Sequence, residues 1–233
     1  MGLNRMKGGA FWALPFCLFM ALGAMARADS GDSSGISDSG DSSSIANASG
    51  GSFDGSADAG VRLLYTQPSV LDSLAASAGF PKTGGLWLMW GGGATITPNP
   101  LRLQLSAWKG SLDATDAQGS THWGLDLAAL TMEQSYPWND FIFTVGGSLE
   151  AGELEGSLLR GDSLTAVDAP LFGYSLQGGV RWPAQTMLAL FLRAGWEILS
   201  GPGVWHGSDG QGLGSSLFEL GGPTATLQLE LSL

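Results

Sequence analysis

Few residues in this chain are able to do chemistry. There are two histidines, His122 and His206, and one cysteine, Cys17. His206-Gly207-Ser208, with Asp209 adjacent and Glu219 farther along, supplies an imidazole, a hydroxyl and a carboxylate, the three groups that nucleophilic acyl transfer uses. They lie among Gly201, Gly203, Gly207, Gly210, Gly212 and Gly214. Catalytic groups have to be held to within about half an ångström, and glycine constrains a backbone least. The chain has no G-x-S-x-G elbow and no Cys/His metal-ligand spacing. Six aspartates, Asp29, Asp32, Asp38, Asp41, Asp54 and Asp58, offer oxygen to a hard cation, but not at the calcium-loop spacing with its closing glutamate. The residues therefore predict no catalytic, cofactor-binding or metal-binding site, and a chain that is not an enzyme.

Composition says more about the surroundings than about a reaction. Charged residues make up 13% and glycine 37 of 233 positions, against about a quarter charged and about 7% glycine in ordinary globular domains. Lysine is confined to Lys7, Lys82 and Lys109. No basic stripe can be drawn from these, which excludes a nucleic-acid partner. Arg5 and Lys7 precede an apolar stretch over 10–22, and Ala26-Arg27-Ala28 follows it, the pattern of a cleaved signal peptide over 1–28. Cys17 would leave with it, and Phe16 before it does not suit a lipid-attachment site. Loss of Arg5, Lys7 and Arg27 takes the net charge from −11 to −14. Residues 29–59 are Ser, Gly, Asp and Ala, too polar to offset chain entropy by burial, and read as a disordered tether.

The elements appear over 60–233, where apolar residues recur every second position. Leu227, Leu229, Leu231 and Leu233 alternate with Thr226, Gln228, Glu230 and Ser232. Leu101, Leu103 and Leu105 alternate with Arg102, Gln104 and Ser106, and Leu188, Leu190, Leu192, Trp196 and Ile198 oppose Arg193 and Glu197. Phe172, Tyr174, Leu176 and Val180 oppose Ser175, Gln177 and Arg181 in the same way. Weaker alternation runs through 121–132 and 140–151, and two more candidate strands lie at 61–66 and 85–97, which makes about eight. The connections 98–100, 112–120, 133–139, 152–170, 183–186 and 199–222 run shorter then longer in turn. Over 68–79, Pro68 suits an early helical position, Val70, Leu71, Leu74 and Ala75 share a face and Gly79 can end it, so one short helix is expected after the first strand. It either plugs the lumen or lies over it.

Two barrels are compatible with this alternation. A soluble periplasmic barrel would turn its aliphatic face inward around an apolar ligand and show water a charged face. A membrane barrel would turn the aliphatic face to lipid and fill its interior with the polar one. The low charge and the alternating connections favour the second. On those strands, connections and the terminal strand 224–233, residues 60–233 resemble small outer-membrane β-barrels of about eight strands: an all-β, antiparallel, up-and-down transmembrane barrel. The resemblance implies outer-membrane lipid as a partner and recognition of the C-terminal strand by the barrel assembly machinery. Leu233 stands where such proteins commonly end on an aromatic. His206-Gly207-Ser208 faintly resembles the H-x-S arrangement of lipid A deacylases, a third and less favoured reading.

Within the membrane reading, the polar faces predict a structural lumen network of Arg62, Arg102, Asp126, Arg181, Arg193, Glu197 and Glu230. Arg62 should meet Glu230 across the closing seam, and Asp126 should meet Arg193. Tyr65, Trp87, Trp108, Trp123, Trp138, Trp182 and Trp196 predict two aromatic girdles on the outer wall. The expected function is that of an outer-membrane barrel with a structural, surface-contact or adhesion role and a filled lumen, reached by export; any ligand of its loops is not encoded in a recognisable motif.

Overall fold

The computed structural model describes residues 54–67, 71–72, 75–76, 79–98, 100–117, 119–161, 163–184, 186–207 and 211–232. The expected signal peptide and all but the end of the expected tether lie outside the described residues. Eight strands follow one another: β1 (Asp54–Tyr65), β2 (Leu86–Thr97), β3 (Leu101–Thr115), β4 (Ser120–Trp138), β5 (Phe141–Arg160), β6 (Ser163–Trp182), β7 (Leu188–His206) and β8 (Gly212–Ser232). Each pairs antiparallel with the next, and β1 pairs with β8 over Ser56–Leu64 against Thr224–Ser232, closing the barrel. The expected up-and-down, all-β architecture is therefore the one adopted.

The boundaries differ from expectation in an informative way. β1 begins at Asp54, inside the stretch read as tether. Most of 152–170 and 199–222, read as long connections, is strand: β5 and β6 meet in a turn at Gly161, β7 runs on to His206 and β8 begins at Gly212. Gly161 has φ +56, the left-handed conformation such a turn needs, and Asn139, with φ 53, plays the same part between β4 and β5. No helix over 68–79 stands among the elements of the described structure. Only Leu71, Asp72, Ala75 and Ala76 carry described helical backbone there.

Those segments differ from expectation because period two persists along each strand while its polarity reverses. In the half of β4 near the 139–140 turn, Thr131 and Glu133 point inward and Leu130 and Met132 outward. In its other half Trp123, Leu125 and Leu127 are inward and buried, and His122 and Asp126 are on the outer wall. β5 repeats the change, from Ser148 and Glu150 inside to Leu154 and Leu158 inside, with Val145 and Leu149 outside giving way to Glu153 and Glu155. The end of the barrel that carries the short turns is thus apolar outside and polar inside; at the opposite end the interior is apolar, and the outer wall is mixed, with Asp126, Glu153, Glu155 and Asp168 beside exposed Leu159, Leu164, Val204, Leu213 and Leu217.

The apolar interior gathers Leu64, Trp87, Trp123, Leu125, Leu127, Leu154, Leu171, Leu199, Phe218 and Leu220 with Leu71 of the 66–85 connection. That connection crosses above them. Thr66 N–H donates to the Gly85 carbonyl at 2.7 Å, the Asp72 carboxylate accepts from the backbone of Thr83 and Gly84, and the far side is tied down by Thr121 Oγ1 donating to the Pro81 carbonyl (3.0 Å) and Arg160 Nη2 donating to the Gly79 carbonyl (2.6 Å). Arg160 also lies over the Phe80 ring at 4.7 Å. The connection therefore lies over the interior, from β1 and β2 across to β4 and β5.

The reversal yields a direct test on β4. Leu127→Ala removes a buried side chain and should cost about 2–5 kcal/mol, whereas Asp126→Ala, on the outer wall, should cost about 1 kcal/mol or less. The denaturant midpoint of the folded barrel in detergent measures both, and equal losses would contradict the reversal.

Candidate functional site

Below the apolar interior, the strands bring four guanidinium groups and five carboxylates into the lumen. Arg62 (β1) bridges Glu150 (β5) at 3.0 Å and Glu197 (β7). Arg193 (β7) makes a two-pronged contact with Glu133 (β4), Nε at 2.9 Å and Nη2 at 3.0 Å, and also donates to Gln228 Oε1. Glu230 (β8) accepts from Arg102 (β3) at 2.5 Å and from Arg181 (β6) at 3.0 Å. Asp58 (β1) accepts from Gln104 at 2.6 Å and from Gln228. All four arginines are buried, as are Glu133, Glu150, Glu197 and Glu230. Arg102 and Arg193 also flank the Phe191 ring, at 4.7 and 3.9 Å.

The set links every strand except β2 through a charge, and β2 joins through Thr95, whose Oγ1 accepts from Arg102 Nη2 at 3.2 Å. A cavity of about 20 Å³, about the space of one water molecule, lies between Arg62 and Glu150 on one side and Arg193 on the other, lined also by Gln104, Thr131 and Gln177. Charges removed from water need partners of this quality, because an unpaired one is expensive in a low-dielectric interior. Chemically, the arrangement is a cross-brace that fills the bore.

Six of the seven residues expected in the lumen are in it: Arg62, Arg102, Arg181, Arg193, Glu197 and Glu230. Asp126 is not. It lies on the outer wall and pairs with Lys109 at 2.7 Å, because β4 has already reversed polarity at that height. Consequently Arg193 pairs with Glu133 and not with Asp126, and Arg62 pairs with Glu150 and Glu197 and not with Glu230. Sequence reasoning missed Asp58, Glu133 and Glu150. Glu150 continues the inward row Thr144, Gly146, Ser148, and Glu133 follows Thr131 two positions on. The alternation carried both: Glu133 lies one residue beyond the 121–132 stretch, and Glu150 lies within 140–151 on the face opposite Phe141, Phe143 and Val145.

The expected girdle divides. Tyr65, Trp138, Trp182 and Trp196 are exposed on the outer wall, together with Trp90, Tyr136, Phe172 and Tyr174, which the sequence reading did not assign. Trp87, Trp108 and Trp123 point inward and are buried. Their strands present tryptophan on the face that lines the apolar interior. Neither histidine faces the interior: His122 Nδ1 lies 2.6 Å from Asp113 Oδ1, and His206 Nε2 lies 3.9 Å from Asp168 Oδ2, both pairs on the outer wall. Ser157 is the cross-strand neighbour of His122 on β5, but this row lies in mid-sheet, where backbone amides serve the ladder and none is aimed at a developing oxyanion. Ser208 and Asp209 lie outside the described residues.

No family model matches this chain, and no curated protein matches it. Among solved structures it is similar to a major outer membrane protein from Thermus thermophilus, with 10% identity and a TM-score of 0.49 over 77% of this chain and 99% of that one. It is also similar to the outer membrane protease OmpT from Escherichia coli, with 7% identity and a TM-score of 0.41 over 78% of this chain and 98% of that one. Likenesses of this size assign the chain neither an activity nor a partner.

The lumen contacts predict a specific coupling. Arg193→Ala takes the two-pronged partner from Glu133, leaving it Arg102 Nε at 3.6 Å and Gln177 Nε2 at 3.2 Å, and should cost about 3 kcal/mol; Glu133→Ala should do similar harm, while the double variant should lose much less than the sum. Arg193→Ala and Asp126→Ala should instead add. The temperature of the heat-induced gel shift reads all of these, and additivity in the first pair would contradict the buried contact.

Proposed function

We propose that this chain is an outer-membrane β-barrel with a structural or surface-contact role, adhesion included, whose interior is filled and does not conduct. The observation that supports this reading is the outer wall at the short-turn end. Leu101, Leu105, Leu130, Met132, Phe143, Val145, Leu149, Leu176, Leu188, Leu190, Leu192, Leu227, Leu229 and Leu231 are all exposed there, Leu176 at 69%. A contiguous apolar wall on this scale is stable against lipid and aggregates in water. Exposed Trp138, Trp182, Tyr136 and Phe141 near the turns, and Tyr65, Trp90, Tyr174 and Trp196 farther up, are residue types that favour the two membrane boundaries.

Both described chain ends and the connections 98–100, 139–140 and 183–187 lie at the same end, the periplasmic one in this reading. The opposite end stands in water outside the cell, and its outer wall carries Asp113, Asp126, Glu153, Glu155, Asp168 and Glu219. This acidic rim is the surface offered to whatever the protein meets. Outer-membrane lipid is the partner of the apolar band, β8 is the strand that the barrel assembly machinery engages, and a cleaved signal peptide over 1–28 delivers the chain. The role is non-enzymatic in this reading: the four buried glutamates are committed to guanidinium groups. A soluble barrel around an apolar ligand is the weaker reading because it would leave the leucine band in water.

The chain should fractionate with outer membranes and require detergent for extraction. Leu190→Arg, in the band, should cost about 2–4 kcal/mol and reduce the assembled fraction. Recovery of the unmodified protein as a monomer in the aqueous periplasmic extract would overturn the membrane reading. In planar bilayers the folded protein should give no steady conductance, because the ionic cross-brace and the apolar interior obstruct the bore in series; an open, weakly selective pore would overturn the filled-lumen reading.

A further inference from the structure

The lumen charges do not balance as ions. Among the described residues Arg62, Arg102, Arg181 and Arg193 point inward, against Asp58, Glu133, Glu150, Glu197 and Glu230. Five acids therefore face four guanidinium groups. A surplus charge is expensive in a low-dielectric interior, and one further positive charge would make the set neutral.

The hydrogen bonds single out one of the five. Glu133 accepts Arg193 Nε on Oε1 and Arg193 Nη2 on Oε2, at 2.9 and 3.0 Å. Glu230 accepts Arg181 Nε on Oε1 and Arg102 Nη2 on Oε2, at 3.0 and 2.5 Å. Asp58 accepts the amide of Gln228 on Oδ1 and that of Gln104 on Oδ2; Gln228 is oriented for this because its own Oε1 accepts from Arg193. Glu150 accepts Ser148 Oγ on Oε1 at 2.7 Å, with Arg62 Nη2 at 3.0 and 3.1 Å from its two oxygens. Glu197 differs from all of these. Its Oε2 accepts from Arg62 Nη2, and its buried Oε1 receives no donor.

The surroundings make a bare, ionised oxygen costly there. Along the inward face of β7, Glu197 is followed by Leu199 of the apolar interior. The charged groups that face it are Arg62 from β1 and Glu150 from β5. Its cross-strand neighbours, Ser175 on β6 and Gly222 on β8, carry no charge. Glu150 and Glu197 converge on the same nitrogen, Arg62 Nη2, and their carboxyl groups are within hydrogen-bonding reach of each other. Two carboxylates have no proton to exchange in such a contact, whereas an acid and a carboxylate do.

We propose that the lumen is a proton-binding site: one proton is held between Glu197 and Glu150 beneath Arg62, with Glu197 the acid and Glu150 the carboxylate that accepts from it. That proton removes the surplus negative charge. It also lets one guanidinium hold two acids, so that β1, at the closing seam, is tied to β5 and β7 together. A metal ion in its place would need several oxygens at once, and among the described residues no three of His, Cys, Asp or Glu are grouped to hold one. The site does not depend on what the outer wall faces.

The test uses the full chain folded in detergent. Infrared spectra of the unmodified protein at neutral pH should show the carbonyl stretch of a buried carboxylic acid, which carboxylates lack. Isotopic labelling of the glutamate carboxyls should shift that band, and labelling of the aspartate carboxyls should not. An absent band, or one that moves only with labelled aspartate, would overturn the site. A second measurement compares folding equilibrium constants of the unmodified protein and Glu197→Gln, whose amide keeps the shape and a donor of the acid without titrating. A folded chain that binds one proton more than the unfolded chain loses stability as pH rises. Relative to Glu197→Gln, the folding constant of the unmodified protein should therefore fall about tenfold per pH unit between about pH 5.5 and about pH 7; taking the ratio cancels the other titrating groups. Curves that run parallel, or a slope removed by Asp58→Asn in place of Glu197→Gln, would overturn the assignment. Curves that change when sodium replaces choline at equal ionic strength would give the place to a metal cation and overturn it too. Should Glu197→Gln fail to fold, the infrared shift decides.

Discussion

The backbone ladder has to close on itself, and the rest of the structure follows from that. In the membrane reading a strand facing hydrocarbon has no water to receive its amides and carbonyls, so each of the eight needs a neighbour on both edges. Pairing of Ser56–Leu64 with Thr224–Ser232 meets this condition for the first and last strands together. Closure at eight strands leaves a bore that side chains fill. Any charge directed inward must then find its counterpart on another strand, at the height that the register imposes. Arg62 reaching Glu150 and Glu197, and Glu230 receiving Arg102 and Arg181, are consequences of register.

Closure does not require the wall to be equally tall all round, and it is not. β1 and β2 have 12 residues each, whereas β4 to β8 have 19 to 21. The taller strands rise into the region where polarity is reversed, and the 66–85 connection lies over the interior from the short side to the tall one. Its Leu71 and Ala75 are buried where two more lengths of wall would otherwise have contributed side chains. The apolar interior above and the ionic interior below are thus one core built for two different surroundings, and the same strands pass through both.

The strand count, the closed antiparallel order and six of the lumen charges were legible in the sequence because all of them follow from period two. Leu188 to Ile198 against Arg193 and Glu197 is unambiguous in either solvent. Period two does not reveal which face is inward, and Asp126 was misplaced for that reason: Trp123, Leu125 and Leu127 look like a lipid-facing row until the acids Glu153 and Glu155 on the neighbouring strand place that level in water. The same ambiguity put Trp87, Trp108 and Trp123 in a girdle. Glycine density around 201–214 read as a loose loop, yet Gly201 is a strand position where a neighbouring carbonyl approaches so closely that a Cβ would meet it, at 1.7 Å from Pro170 O.

The β1–β8 seam also bears on the order of folding. Seven of the eight strand pairings join neighbours in sequence, through connections as short as Asn139-Asp140, and can form as local hairpins at small entropic cost. The eighth joins residues as far apart as Ser56 and Ser232 and brings in only nine register pairs. It is both the most non-local contact set in the protein and one of the shortest. Closing that seam is the pairing that converts an open sheet with two unsatisfied edges into a barrel.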